Sequence, residues 1–138
     1  MIIAVFTAIL HISQIFIIAE EKKAVAYKNQ DYIFFIFAPV KTKTFRNEKP
    51  ALEVAKTIQE ILKEHNRMFN QKLDFGISLN HGTIVAKLEN NVLKFMSMDS
   101  LITSAKKISS LSNGEILLSS KINDLLRLQQ VKTKKEIR

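Results

Sequence analysis

The chain has 138 residues, 46% hydrophobic and 25% charged, with a formal net charge of +8. That is the length of one domain, 1–138, and the composition of a folded protein rather than a disordered or collagen-like one. The absence of cysteine excludes a disulfide framework, thiolate zinc sites and a cysteine nucleophile, while the positive charge admits nucleic acid, anionic lipid or a nucleotide polyphosphate as partner beside a plain lysine-rich surface.

Residues Ile2 to Ala19 carry no charge, nearly enough length to cross a bilayer, but Thr7, His11, Ser13 and Gln14 interrupt them and no basic residue precedes them. Ile2, Ile9, Ile12, Phe16 and Ala19 fall near one helical face, so 1–21 reads as a buried N-terminal helix or strand, with a membrane-proximal segment through residues 1–19 as the alternative. Ala24 to Lys28 and Tyr32 to Ala38 read as a hairpin turning at Asn29, Gln30 and Asp31. YIFFIFA has too little alternation for a half-exposed strand and predicts one buried on both faces.

Pro39 ends that strand, and Lys41 to Lys49 reads as a basic loop. Pro50 to Asn70 is the clearest helix: Leu52, Ala55, Ile58, Ile61, Leu62 and Phe69 recur at helical spacing opposite Glu53, Lys56, Glu60, Lys63 and Glu64. Strands follow at Leu73 to Leu79, Thr83 to Lys87 and Val92 to Met98, with turns at Asn80-His81-Gly82 and Glu89-Asn90-Asn91. Leu101 to Leu111 is a short helix with Ser100 as its N-cap, stopped by Asn113-Gly114. Glu115 to Leu118 is a strand, Ser119 or Ser120 caps a helix through Leu128, and Val131 to Ile137 reads as a final strand. Helices with one apolar face alternating with strand pairs predict an α+β sandwich, a mostly antiparallel sheet with helices packed on one face.

Three segments, in order, resemble the class III nucleotidyl cyclases. FGISLNHGTIVAK resembles that family's "giGiHtGevvvG", SMDSLITSAKKISSLSNGEILLS its "viGDtvNlAaRLeslakpGeIlvS", and NQDYIFFIFAP its "iGDgflavFgaP". The helix from Ala51 fits the family's spacing, and the likeness covers Ala24 to Leu128. It implies a ferredoxin-like βαββαβ core whose domains pair head to tail around a shared nucleoside triphosphate cleft. Two aspartates there hold two Mg²⁺ ions, an Asn and an Arg steady the ribose and the α-phosphate, and a Lys and an Asp choose the base.

Carried over residue by residue, one metal aspartate falls on Asp31 and the other, from "FtDIvGfT", on Ala8 if FTAILHIS is that strand. If the first twenty residues are instead the following helix, the strand is missing; the distance from Phe6 to Asp31, shorter than the family's, favours that option or a trimmed hybrid of both. In the gapless register Asp99 takes the place of the Gly, Ser100 of the Asp, Thr103 of the Asn, Ala105 of the Ala and Lys107 of the Arg; a one-residue offset would put Asp99 on the Asp. The base-selecting Lys falls on Tyr27, with Lys28 one residue off and therefore on the other face of a strand. A hydroxyl at 103 cannot replace an amide, and Lys107 lacks the planar fork of Arg.

The expectation is a degenerate cyclase-homology domain. As a cytoplasmic signalling module, whole or cut at one or both ends, it pairs with itself or another cyclase-like domain. Asp99, Ser100 and Lys28 are its candidate nucleotide contacts, Thr103 and Lys107 its substituted catalytic positions, and Asp31 its metal position, with Mg²⁺ or Mn²⁺ required only if it is active. The alternatives are an active cyclase or cyclase subunit and, last, a basic nucleic-acid-binding α+β module. The three histidines share no metal-ligand spacing; His11 reads as packed and His65 as solvent-facing.

Overall fold

The computed structural model describes residues 2–7, 13–29, 32–68, 74–82, 85–90, 92–97 and 99–127. The YIFFIF run decides the architecture. In β3 (Tyr32–Phe37), Ile33 to Phe37 are each no more than 1% exposed, so the strand needs a neighbour at both edges and a layer over both faces. The neighbours are β2 (Val25–Asn29) and β1 (Ile2–Thr7), both antiparallel to it. The register of β1 runs from Ile2 opposite Phe37 to Thr7 opposite Tyr32. On its other edge β1 pairs antiparallel with β4 (Gly76–His81), and β4 pairs parallel with β7 (Ile116–Leu118). The sheet order is β2-β3-β1-β4-β7, while β5 (Val85–Glu89) and β6 (Val92–Ser97) form a separate hairpin.

Alternation along β3 and β4 divides the core. Ile33, Phe35, Phe37, Ile77 and Leu79 pack with Ile15 and Ala19 of α1 (Ser13–Glu21), with Ala51, Val54, Ala55, Ile58 and Leu62 of α3 (Glu48–Met68), and with Ile122 of α5 (120–127). Phe34 and Ile36 face the other way, onto Ala105, Leu101 and Ile102 of α4 (Asp99–Ser110). The expected α+β sandwich is present, with α4 as a third layer: a β3 apolar on both sides needs cover on both. Phe34, Phe35 and Phe37 are fully buried, so these three β3 rings are not available for stacking on bases.

The N-terminal stretch is strand and then helix, so neither single-element reading of 1–21 holds alone. No helix among the described residues is long and apolar enough to cross a membrane; α1, with nine residues, rises only about 14 Å against a hydrocarbon core of about 30 Å. The segment after β3 is not all loop: α2 (Pro39–Thr42) occupies its start, and Lys43 closes it in the left-handed region at φ 64°. The long helix starts at Glu48 rather than Pro50, because a first turn tolerates proline at more than its first position; the Ala51 N–H donates to the Asn47 carbonyl at 2.9 Å. β4 runs on to His81, which pairs with Ile2, so the expected turn begins later. Ser100 lies inside α4, whose first residue is Asp99, and is therefore not its N-cap. The final strand expected at 131–137 and the packing expected of His11 lie outside the described residues.

Candidate functional site

The two ends of the sheet are lined differently. At one, Thr7 of β1 lies between Tyr32 of β3 and Gly76 of β4. Tyr32 is also the chain neighbour of Asp31, and Thr7 of Ala8; both Asp31 and Ala8 lie outside the described residues. The C-terminal turn of α4 closes over this end. An open depression of about 300 Å³ is lined there by Tyr32, Asp74, Phe75, Ser109, Ser110 and Asn113. Lys106 holds its ammonium 5.2 Å from the centre of the Tyr32 ring, a cation–π contact. Tyr32 and Tyr27 flank Phe34 at ring distances of 6.4 and 6.1 Å, forming an aromatic strip along the α4 face of β2 and β3.

Two glycines shape this end. A Cβ on Gly76 would fall far inside van der Waals contact of the Ser109 carbonyl oxygen, so only glycine lets β4 approach α4 so closely. Gly114 adopts φ 77° in the turn after α4; its N–H donates to Phe75 O at 2.9 Å, and its carbonyl accepts from Gln59 Nε2 of α3 at 2.7 Å. Deeper in the α4 interface, Asn80 Nδ2 donates to Ser78 Oγ at 2.9 Å and Ser78 Oγ donates to Ala105 O at 3.3 Å, a buried polar chain fastening β4 to the helix.

At the opposite end are Ile2, Phe37 and His81, with the first turn of α4 over Gly82 through Leu101. A second open depression, about 320 Å³, is lined by Asn80, His81, Gly82, Leu101, Ser104 and Ser119. Burial holds the His81 imidazole below the usual histidine range, and positive charge from Lys121 pushes the same way against a weaker opposing pull from Glu48. Glu48 is 4% exposed, and its Oε2 has no hydrogen-bond partner among the described residues.

The candidates read from the sequence are therefore spread out. Thr103 and Lys107 lie one helical turn apart on the exposed side of α4. Asp99 and Ser100 open that helix, at the end remote from Tyr32. Lys28 is exposed on β2 opposite Ile33, whose side chain belongs to the α1–α3 core, whereas Tyr27 opposite Phe34 lies on the α4 face. One chain thus does not bring Lys28 together with Thr103 and Lys107. The Lys106–Tyr32 contact and the buried Glu48 were not read from the sequence. The tyrosine pair on the two strands of the predicted hairpin was a usable signal for the first; Glu48, in a polar helical turn, gave none. Among the described residues no three histidine, aspartate or glutamate side chains come together to hold a metal.

No family model matches the chain, and no curated protein sequence does. Solved structures do match, and they are catalytic domains of class III adenylyl and guanylyl cyclases. The adenylyl cyclase CyaB from P. aeruginosa is 15% identical, with 91% of this chain and 80% of that one covered at a TM-score of 0.63. The monomeric guanylyl cyclase domain of the RhoGC fusion protein from Blastocladiella emersonii is 14% identical, with 91% and 84% covered at 0.68, and the same domain has been solved as a dimer. The guanylate cyclase domain of RhGC from Catenaria anguillulae, in complex with GTP, is 14% identical, with 91% and 81% covered at 0.62. At these identities the likeness is one of fold: the chain has the cyclase-homology fold.

Proposed function

We propose that this chain is a degenerate cyclase-homology domain, pairing with itself or with another cyclase-like domain in a signalling protein without efficient turnover of its own. The pairing of β1 beside β3 carries the reading. It supports taking FTAILHIS as the family's first strand, and the chain has Ala8 where that strand has its metal aspartate. Asp31 is then the single remaining carboxylate, and Mg²⁺ bound by one or two carboxylates with substrate phosphates gains little from half a set. The donor set does not fit a two-metal centre within one chain, and no metal-assisted step follows from it. The burial of Ala105 supports the gapless register, which leaves Thr103 and Lys107 in place of the Asn and Arg. The test is incubation of the pure protein with ATP or GTP and Mg²⁺ or Mn²⁺: no cyclic nucleotide forms, and robust product overturns the reading.

A second reading is a subunit whose site is completed by a partner. It is favoured by the separation of the Tyr32 end from the start of α4, since a head-to-tail pair sets one end of each domain against the opposite end of the other. Mixed with a cyclase domain bearing both aspartates, the chain then yields cyclic AMP or GMP, and Asp31→Ala in the mixture lowers that yield. An unchanged yield removes this reading.

A further inference from the structure

A basic loop follows β3 at the end of the sheet remote from Tyr32. Phe45 is 89% exposed there, the most exposed large apolar side chain among those described. Val40, on the same segment, is 47% exposed. Lys43, Arg46 and Lys49, close to them in the chain, are exposed, and Lys41, next to Val40 in the chain, is half-buried. The segment's one carboxylate, Glu48, is buried and so does little to neutralise the loop's outer surface.

The loop holds its shape. The Lys43 N–H donates to Pro39 O at 2.8 Å, and Asn47 Nδ2 donates to Thr44 O at 2.9 Å. The Arg46 N–H donates to Thr44 Oγ1 at 3.1 Å, and the Thr42 hydroxyl lies 3.2 Å from the carbonyl oxygens of Ala38 and Thr44. An ordered turn that presents a phenyl ring to water leaves its apolar surface uncovered.

We propose that this loop is a peripheral docking site for an anionic lipid surface, with Phe45 and Val40 entering the headgroup–acyl boundary and Lys43, Arg46 and Lys49 meeting lipid phosphates and carboxylates. Charge complementarity selects the occupant: Lys43 and Arg46 are exposed on either side of Phe45 in the chain, and Lys49 is exposed in the first turn of α3. A bilayer needs no shaped pocket to receive a protruding side chain, and lysine and arginine stems can lie along the apolar boundary with their heads in the phosphate layer. Val40 distinguishes lipid from nucleic acid, because an aliphatic side chain offers no ring to stack on a base. The contact would be peripheral, and it does not depend on the catalytic status of the domain.

The chain contains no tryptophan, so Phe45→Trp installs a single fluorescent reporter in an exposed loop where folding is not at risk. Expected is a blue shift of its emission with phosphatidylcholine vesicles containing phosphatidylserine, none with phosphatidylcholine alone, and reversal by salt. In co-sedimentation of the full chain, Phe45→Ser weakens binding roughly tenfold, from the lost apolar transfer. Lys43→Glu with Arg46→Glu weakens it by more than about 25-fold, from about fivefold per cation. Unchanged emission, equal binding to neutral vesicles or undiminished binding by these variants overturns the proposal. So does a single-stranded oligonucleotide that shifts the tryptophan emission when phosphatidylserine does not, since the loop would then be a nucleic-acid contact.

Discussion

Single atoms decide several properties of this domain. At Gly76 a methyl group would drive β4 and α4 apart at the Ser109 carbonyl, so Gly76→Ala should lower the unfolding free energy by roughly 2 kcal/mol or more in urea titration. At Ser78, removal of the hydroxyl takes from Asn80 Nδ2 the acceptor on Ser78 and from the Ala105 carbonyl its side-chain donor. Ser78→Ala should then cost about 1–3 kcal/mol, part of it regained in the double variant with Asn80→Leu. His81 sets a pH dependence. Its folded-state titration lies below the unfolded value near 6.5 because burial disfavours the imidazolium. Between those two points the unfolded chain binds more protons, so stability falls as pH drops below about 6.5 toward the folded value, and this contribution is absent above neutrality. Urea midpoints at neutral and mildly acidic pH should converge in His81→Gln; if the variant keeps the full wild-type slope, His81 is not its source.

The helices and strands divide by how much of their surroundings the sequence encodes. The α3 helix was legible from its apolar stripe, of which Ala55, Ile58 and Leu62 are fully buried and Leu52 and Ile61 half-buried, while Phe69 lies outside the described residues; Ala51 and Val54 complete the buried face without having been read as part of it. Ile58→Ala should therefore cost about 2–5 kcal/mol through the cavity it leaves, while the exposed Lys63→Ala on the same helix changes stability by less than about 0.5 kcal/mol. β3 was legible because five consecutive buried residues leave no other solution. Its hairpin partner β2 was legible too, but its pairing with β1 was not, since that depends on contacts about thirty residues apart that no local pattern records. The α4 helix was found, but its assignment to the opposite face of the sheet follows from Phe34 and Ile36 needing cover. The site was least legible. Alignment to family motifs located Thr103, Lys107 and Asp99, yet only the packing of α4 reveals that its two ends reach opposite ends of the sheet.

For the whole molecule the main question is what a framework keeps when its polar residues change. The chain has the cyclase-homology fold, and under the proposed reading Ala8, Thr103 and Lys107 stand where a cyclase has its carboxylate, amide and guanidinium. Restoring them together as Ala8→Asp, Thr103→Asn and Lys107→Arg should give a Mn²⁺-dependent rise in melting temperature with ATP or GTP that the natural chain lacks. Equal shifts for both proteins would mean that these substitutions are not what sets nucleotide binding. The position of β1 at the centre of the sheet has one more consequence, in synthesis. Its hydrogen-bonding edges belong to β3 and β4, and the Ile2–His81 pair closes only after about eighty residues of separation. At about 5–20 residues per second, the apolar segment IIAVF spends roughly 4–16 seconds outside the ribosome with at least one edge open. A nascent chain of this design is at greatest risk of aggregation before β4 emerges, and a chaperone's need for it should fall away once residue 81 has cleared the exit tunnel.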